Sequence, residues 1–526
     1  MNNGTCIGKM KRYTFRTFLA IILLSAVGFA QGEHLAKLTI LHWNDFHSQN
    51  LPMKVTKKSD DGSRSTYDAG GYAYMKAYLD KFKRESKNTL VLHAGDDFQG
   101  TPISTITKGL SQIDLLNLIL PDVMTLGNHE FDYGADNLRK ILPLAKFPIV
   151  SADIFDNKNG KTFLPPYKIV ERGSLKIGVI GLAPADLARL TLRENVAGLD
   201  ILDAAIVLKK YIYELREKLQ VQMIVLLSHM GVDEDKIIAN SISGIDVIIG
   251  GHSHTALMHP IRLKGVIICQ AGSKGRYLGK LDLIYDLDKK KIIKSDGNLI
   301  ETVNEGMTPD AIVAAAVAAQ EKQVDAGMKE VIGTLLVDWV RSGRGESNIG
   351  DWQCDVMRDF AKTDIAFQNS GGIRKNLPAG PITIRDLWEM NPFGNEFVSF
   401  SVTGAQLRSM MEWQVSTAKG ELAQVSGLTY IADVTRPAQS RIQELKVNGG
   451  EVDTARTYSV VTNNYVSGHL YDLFGLPEKQ ILVKPVLPAH TDREVFINFI
   501  RRHPEVTSKI EGRIIIKGIE SKEWDD

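Results

Sequence analysis

Five times along this chain a short apolar run is followed at once by side chains that bind metals. The runs are 38–41, 90–92, 123–126, 224–227 and 247–249. The clusters behind them are Asp45-Phe46-His47, Gly95-Asp96-Asp97, Gly127-Asn128-His129-Glu130-Phe131-Asp132, Ser228-His229 and Gly251-His252-Ser253-His254. Apolar runs this short, bounded by turn residues, read as buried strands. Taken singly, each cluster has an ordinary explanation as a turn or a satisfied histidine. Repeated at the ends of successive strands, they describe a metal site at the edge of a sheet.

The chain has 526 residues, more than one hydrophobic core supports, so at least two domains are expected. It is 44% hydrophobic and 24% charged, an ordinary soluble composition, with a net charge of +1. That balance gives no bulk field for a nucleic acid polymer, so none is expected as a partner; a phosphate group would need a local site. Of three cysteines, Cys6 lies near the N-terminus, Cys269 in an apolar strand and Cys354 in a helical stretch. Buried free thiols are expected for the last two.

The first 30 residues read as a signal peptide. Lys9, Lys11, Arg12 and Arg16 precede an apolar run over 18–30, which ends Gly28-Phe29-Ala30-Gln31. The run is short for a membrane span. Export to a periplasm or the medium is therefore expected, with no stable span in the mature chain. Residues 35–305 alternate strands with helical patterns such as 72–84 and 204–219, which predicts an α/β domain. After Lys289-Lys290-Lys291 a short strand is expected. Thr308 then reads as an N-cap with Pro309 at the first helical position. The linking helix falls within 308–330, carried by an Ala-rich stretch and closed by Gly327. From 331 to 518 the pattern becomes α+β, with helices over 350–361 and 385–389 and strands over 364–367 and 397–402.

Carboxylates, an Asn amide and imidazoles suit Zn²⁺, Mn²⁺, Mg²⁺, Fe or Co. Asp45 and His47 flank one residue, so strand alternation would turn both side chains the same way. Ligands at the carboxyl ends of parallel strands collect in one crevice. Asp96 can bridge two cations about 3.5–4 Å apart, a spacing suited to in-line phosphoryl displacement. No Gly-rich Walker loop is present, which argues against kinase chemistry.

The order Asp-x-His, Gly-Asp, Gly-Asn-His-Glu, Ser-His, Gly-His-x-His resembles that of the calcineurin-like metallophosphoesterases. Asn369-Ser370-Gly371-Gly372-Ile373-Arg374, Asn391-Pro392-Phe393-Gly394-Asn395, Val402-Thr403-Gly404 and Gln424-Val425-Ser426-Gly427 resemble the C-terminal domain of the 5′-nucleotidase family. The resemblance implies a metallophosphoesterase β-sandwich flanked by helices, joined by a helix to a smaller α+β substrate-binding domain. It implies two divalent metals, one held by Asp45, His47, Asp96 and His254, the other by Asp96, Asn128, His229 and His252. It makes His129 and Asp132 a catalytic pair off the metals. Asp132, three residues after His129, is within reach if the chain turns helically there, and can then fix the imidazole and favour its protonated form.

The implied reaction is release of phosphate from a 5′-nucleotide, by in-line attack of a metal-bound water and without a covalent intermediate. In the second domain, which family members swing against the metal site, Phe393 matches one of two rings that sandwich the base. Arg374, Asn369 and Gly372 match residues that meet the substrate. Either Arg341 or Arg344 matches a phosphate-binding arginine, and the spacing leaves the two open. The sequence departs from the family at Asn463-Asn464-Tyr465-Val466-Ser467-Gly468-His469-Leu470-Tyr471-Asp472, where an aromatic followed by Gly-Gly-Asp-Gly is usual. Tyr465 is the candidate second ring, and Asp472 lies near the usual Asp but out of register. A 2′,3′-cyclic-nucleotide phosphodiesterase or a UDP-sugar hydrolase on the same scaffold is the enzymatic alternative. A nucleotide-binding protein without activity is the alternative of another class. The oligomeric state is not legible.

Overall fold

A computed structural model describes Met1 and residues 34–58, 64–417 and 421–518. The signal-like segment lies outside the described residues. Two six-stranded sheets make up the first half. In the first, Leu35–Trp43, Thr89–His93, Val123–Thr125 and Ile149–Val150 run parallel, and Tyr277–Asp286 and Lys291–Glu301 add an antiparallel edge. In the second, Leu175–Leu182, Met223–Ser228, Val247–Gly250 and Val266–Cys269 run parallel between antiparallel edge strands.

The inner faces meet in one apolar layer that includes Ile40, Leu92, Val179, Val225, Leu227 and Ile249. The outer faces are covered by helices: Tyr72–Glu85 on one side, Ala204–Tyr213 and Val232–Ser241 on the other. Strands buried on both faces need continuous apolar runs, which is why the runs read from the sequence coincide with the observed strands. The helix expected over 204–219 is α-helical only to Tyr213 and continues as a π turn over Glu214–Lys218. The strand after the lysine triplet is long, Lys291–Glu301, because it pairs along nearly the whole of Tyr277–Asp286.

The linking helix runs Ala311–Met328. Its N-cap is Asp310, not Thr308: the Asp310 carboxylate accepts the N–H groups of Ile312 and Val313 at 3.0 and 2.9 Å. A carboxylate at this position also meets the positive end of the helix dipole. The N-terminal half of the helix buries Val313 and Val317 in the first domain. The C-terminal half places Val324 and Met328 between Ile103 of the first domain and Ile384 and Trp388 of the second. Glu321 pairs with Arg385 at 2.6 Å across the same join.

The second domain is built on a five-stranded sheet, a four-stranded sheet and a small three-stranded one. Helix Asn348–Ala361 packs on the five-stranded sheet, and Cys354 within it, like Cys269, is a buried free thiol. Among the described residues no helix is long and apolar enough to cross a membrane.

Asp351 is buried in that helix, and burial, then the neighbouring Glu346 carboxylate, raises its pKa to about 9. The folded chain thus keeps a proton that the unfolded chain has already released above pH 4, so this group lowers stability progressively as pH rises from about 4 to about 9. Asp351→Asn carries no ionisable proton. Its melting temperature relative to the parent should rise across that window, as read by calorimetry at several pH values; a pH-independent difference would refute the buried neutral acid.

Candidate metal centre

Strand Leu35–Trp43 ends before Asn44, and the chain turns through Asp45, His47 and Ser48 with φ of 50°, 51° and 47°. Asp45 and His47 therefore do not converge by strand alternation. They converge because left-handed backbone redirects each side chain in turn. Asp96, His252 and His254 share this conformation, with φ of 57°, 73° and 53°. For residues other than glycine it costs about 1–3 kcal/mol each and collects at functional sites. The strain is held by a ladder between loops. Asp45, His47 and Ser48 donate their N–H groups to the carbonyls of Gly95, Asp96 and Asp97 at 2.9, 3.1 and 2.9 Å.

The donor atoms meet at short range. His47 Nε2 lies 3.0 Å from His254 Nε2, and Asp45 Oδ1 lies 3.3 Å from the latter. His229 Nε2 lies 3.0 Å from Asp96 Oδ2 and 3.7 Å from Asp45 Oδ1. His252 Nδ1 faces Asn128 Oδ1 at 3.1 Å. Asp45, His47 and His254 form one close group and Asp96, His229 and His252 another. His129 also comes within range of His47 and Asp96.

The donor set fits divalent cations. His229 Nδ1 donates to the Ala94 carbonyl at 2.6 Å, which turns the buried Nε2 toward Asp96 and Asp45. Orientation of one ring nitrogen by a carbonyl is the usual support of a metal-bound histidine. A Cβ on Gly127 would collide with Asp96 Oδ1 and His229, and one on Gly251 would stand 2.7 Å from His229 Nδ1. The two glycines keep the cradle open. The charges agree. Burial opposes ionisation of Asp96, but the imidazoles of His229 and His129 hold its pKa well below the usual range. Burial also opposes protonation of His229, yet Asp96 and Asp45 lift it to about 10, so the carboxylates draw a positive charge to this position, which a cation would supply in place of the proton. Burial, then the neighbouring His254 and His229 respectively, keep His47 and His252 neutral, the form that binds metal.

Beside this centre, the one-turn 3₁₀ helix His129–Phe131 brings Asp132 Oδ2 to 2.7 Å from His129 Nδ1. The other ring nitrogen lies 4.0 Å from Asp96 Oδ2. Burial resists a charge on His129, but Asp132 and Asp96 together raise its pKa above the ordinary value.

The second domain reaches the same place. Phe393 lies 5.8 Å from the His129 ring, tilted by 32°. The Arg374 charge is felt at His47, His129 and Asp132. Asn369 accepts from Asn463 Nδ2 at 2.9 Å and its carbonyl from the Gly372 N–H at 3.0 Å. Arg341 is buried and donates to the Ile373 carbonyl at 3.2 Å, next to Arg374, whereas Arg344 is exposed. The Tyr465 ring lies 4.6 Å from that of His469, tilted by 33°, and its hydroxyl donates to the Arg189 carbonyl of the first domain at 2.8 Å. Asp472 pairs with Arg189 and Arg193, both at 3.4 Å.

The description "Calcineurin-like phosphoesterase" matches residues 38–256, and "5'-nucleotidase, C-terminal domain" matches residues 331–474. A 5'-nucleotidase-related protein of Glossina morsitans morsitans is 30% identical over 563 aligned positions, covering 96% of this chain and 99% of that protein. The chain belongs to the 5′-nucleotidase family. It is a metal-dependent phosphoester hydrolase with the two-domain α/β fold of that family. The solved 5'-nucleotidase precursor from Thermus thermophilus is 32% identical with a TM-score of 0.84, covering 92% of this chain and 100% of that one. Endonuclease YhcR of Bacillus subtilis (strain 168) is 30% identical over 92% of this chain, but the chain spans only 41% of that protein.

Sequence reasoning gave no role to Glu130. It is fully buried, and its carboxylate accepts four backbone N–H groups: Asp96 at 3.0 Å, Asp97 at 2.7 Å, Phe98 at 3.3 Å and Gly127 at 2.7 Å. It ties the loops after two adjacent strands and so sets the position of Asp96. The signal was a charged residue two positions after the candidate ligand Asn128, in a motif otherwise full of small and metal-binding types. Asn44 does similar work for the first loop, donating to Asp45 Oδ2 and accepting from the Ala271 N–H. Glu130→Gln puts an amide donor against backbone donors. Each buried N–H left unmatched costs about 1–3 kcal/mol. The variant should melt at a lower temperature and retain less divalent metal after dialysis; parental values for both would show that the loops hold without it.

Proposed function

We propose that this enzyme is an exported 5′-nucleotidase that uses two divalent metals. The observation that carries the reading is the His129–Asp132 pair, set between the cluster of carboxylates and imidazoles and an aromatic ring of the second domain. Asp45, His47, Asp96 and His254 would hold one cation, and Asp96, Asn128, His229 and His252 the other. Such cations supply acidified water and neutralise phosphate oxygens. The chain's own groups do the rest. Asp132 fixes the proton on His129 Nδ1 and favours the imidazolium, so Nε2–H can donate to a phosphoryl or leaving oxygen as charge develops there. Arg374 adds a fixed positive charge on the side from which the second domain approaches. Phe393 offers a flat face on which a base can stack without demanding a particular one. Export rests on the basic-then-apolar N-terminus.

A product-analysis screen tests the reading, with phosphate assayed and nucleotide products separated by chromatography: 5′-mononucleotides, 2′,3′-cyclic nucleotides, UDP-glucose and a DNA oligonucleotide, each with Mn²⁺, Zn²⁺ and Mg²⁺. Preference for the 5′-mononucleotides is expected. Preference for the cyclic esters or the nucleotide sugar would move the enzyme to those activities, and binding without turnover would make it a carrier.

His129→Ala should keep both metals and lose roughly 10²–10⁴ in kcat, the usual worth of a positioned proton donor. Loss of a metal from this variant, measured by elemental analysis, would place His129 among the ligands instead. Phe393→Ala should lower kcat/KM for a 5′-nucleotide by about tenfold or more, since stacking is worth about 1–3 kcal/mol per base. p-Nitrophenyl phosphate has no base and should respond much less. Equal losses on both, with a lower melting temperature, would make Phe393 a packing residue.

A further inference from the structure

Arg493 is the second residue of the helix Asp492–Arg502 and is only 8% exposed. A guanidinium so buried must place its donors on acceptors. Nη1 donates to the Pro392 carbonyl at 2.8 Å and to the Asn391 carbonyl at 3.3 Å. The guanidinium lies 3.9 Å from the centroid of the Trp388 ring. Nη2 fills the place where a Cβ on Gly394 would stand, and Gly394 has a φ of 65° that suits glycine. The preceding residue completes the grip, as the Asp492 N–H donates to the Asn395 carbonyl at 2.7 Å. The turn 391–395 is thus held at both ends by two consecutive residues, and the residue at its middle is Phe393.

The same turn is registered against the first domain. Thr105 Oγ1 donates to the Pro392 carbonyl at 3.4 Å, and Thr105 lies 3.5 Å from the hydroxyl of Tyr133, the residue after Asp132. One carbonyl therefore takes donors from both domains, one residue before the ring that lies on His129. A surface ion pair would not need this arrangement. One nitrogen that donates to two carbonyls while its planar group lies over an indole does, and a lysine ammonium keeps the donors but not the planar stacking.

We propose that Arg493 is a positioning residue for substrate: it sets the Phe393 ring relative to His129 and thereby sets affinity for the nucleoside. This rests on the reading of Phe393 as the surface that meets the base. The consequence is a coupling. Arg493 should matter to a nucleotide only through Phe393.

The test is a double-mutant cycle on the full-length enzyme, with adenosine 5′-monophosphate and p-nitrophenyl phosphate as probes. Arg493→Met and Arg493→Lys should each raise KM for the nucleotide, with about a tenfold loss of kcat/KM for Met, the scale of losing a stacked base. The loss on p-nitrophenyl phosphate should be much smaller. In the Phe393→Ala background, Arg493→Met should cost the nucleotide nothing further. Multiplying losses in the double variant would overturn the proposal, as would equal losses on both probes with a lowered melting temperature. If Phe393→Ala affects the nucleotide and neither Arg493 variant does, the proposal alone falls. If Phe393→Ala has no effect while both probes are still hydrolysed, the reading of the base surface falls and the proposal with it.

Discussion

The centre depends on donor atoms crowded more closely than they tolerate by themselves. Two imidazole nitrogens face each other at 3.0 Å, and a third lies 3.0 and 3.7 Å from two carboxylates. Like groups this close repel, and buried carboxylates are costly unless paired. Five of the seven candidate ligands also hold left-handed backbone. The attraction between Asp96 and His229 offsets only part of this. The cluster persists because the sheets beneath it are rigid, the loop ladder over-determines the turns and Glu130 absorbs four N–H groups. Divalent cations offset the remaining repulsion directly, so metal binding and the local geometry support each other.

The second domain is brought to this centre by a helix that belongs to both. Val313 and Val317 are part of the first core, while Val324 and Met328 pack between Ile103 and the Ile384–Trp388 surface. Trp388 is also the ring on which Arg493 stacks. A continuous set of packed groups therefore runs from the linking helix through Trp388 and Arg493 to the turn that carries Phe393. Position is passed along it by contact between rigid parts, because close-packed interiors transmit displacement rather than absorb it.

Much of this was legible in the sequence, for identifiable reasons. Continuous apolar runs such as those ending at Leu92 and Ile249, bounded by turn residues, read as strands buried on both faces, and polar clusters behind parallel strands gather at one edge. What was not legible is geometry created by partners distant in the chain. The left-handed turn at Asp45 and His47 depends on carbonyls near residue 95, so local alternation gave the wrong reason for a right juxtaposition. The cap at Asp310 won over Thr308 because a carboxylate two residues on reaches two N–H groups. Glu130 looks like any surface glutamate until the four donors around it are known. The choice between Arg341 and Arg344, open from spacing, becomes a contrast in place: one is buried beside Arg374 and the other is exposed.

Three residues of the segment 463–472 reach the first domain, while Val466 and Leu470 between them stay in the core of the second. Tyr465 donates to the Arg189 carbonyl, His469 bridges the Tyr465 and Ala188 carbonyls at 2.8 and 3.0 Å, and Asp472 meets two arginines. The arginines are half exposed, at 54% and 49%, and ion pairs of that kind contribute about 0–1 kcal/mol. The hydrogen bonds exchange with water at a net value of about 0.5–1.5 kcal/mol each. The fastening is therefore small beside the apolar packing of either domain core. Contacts of this strength orient one domain on the other, while the apolar packing of the linking helix against both carries the larger share of the join.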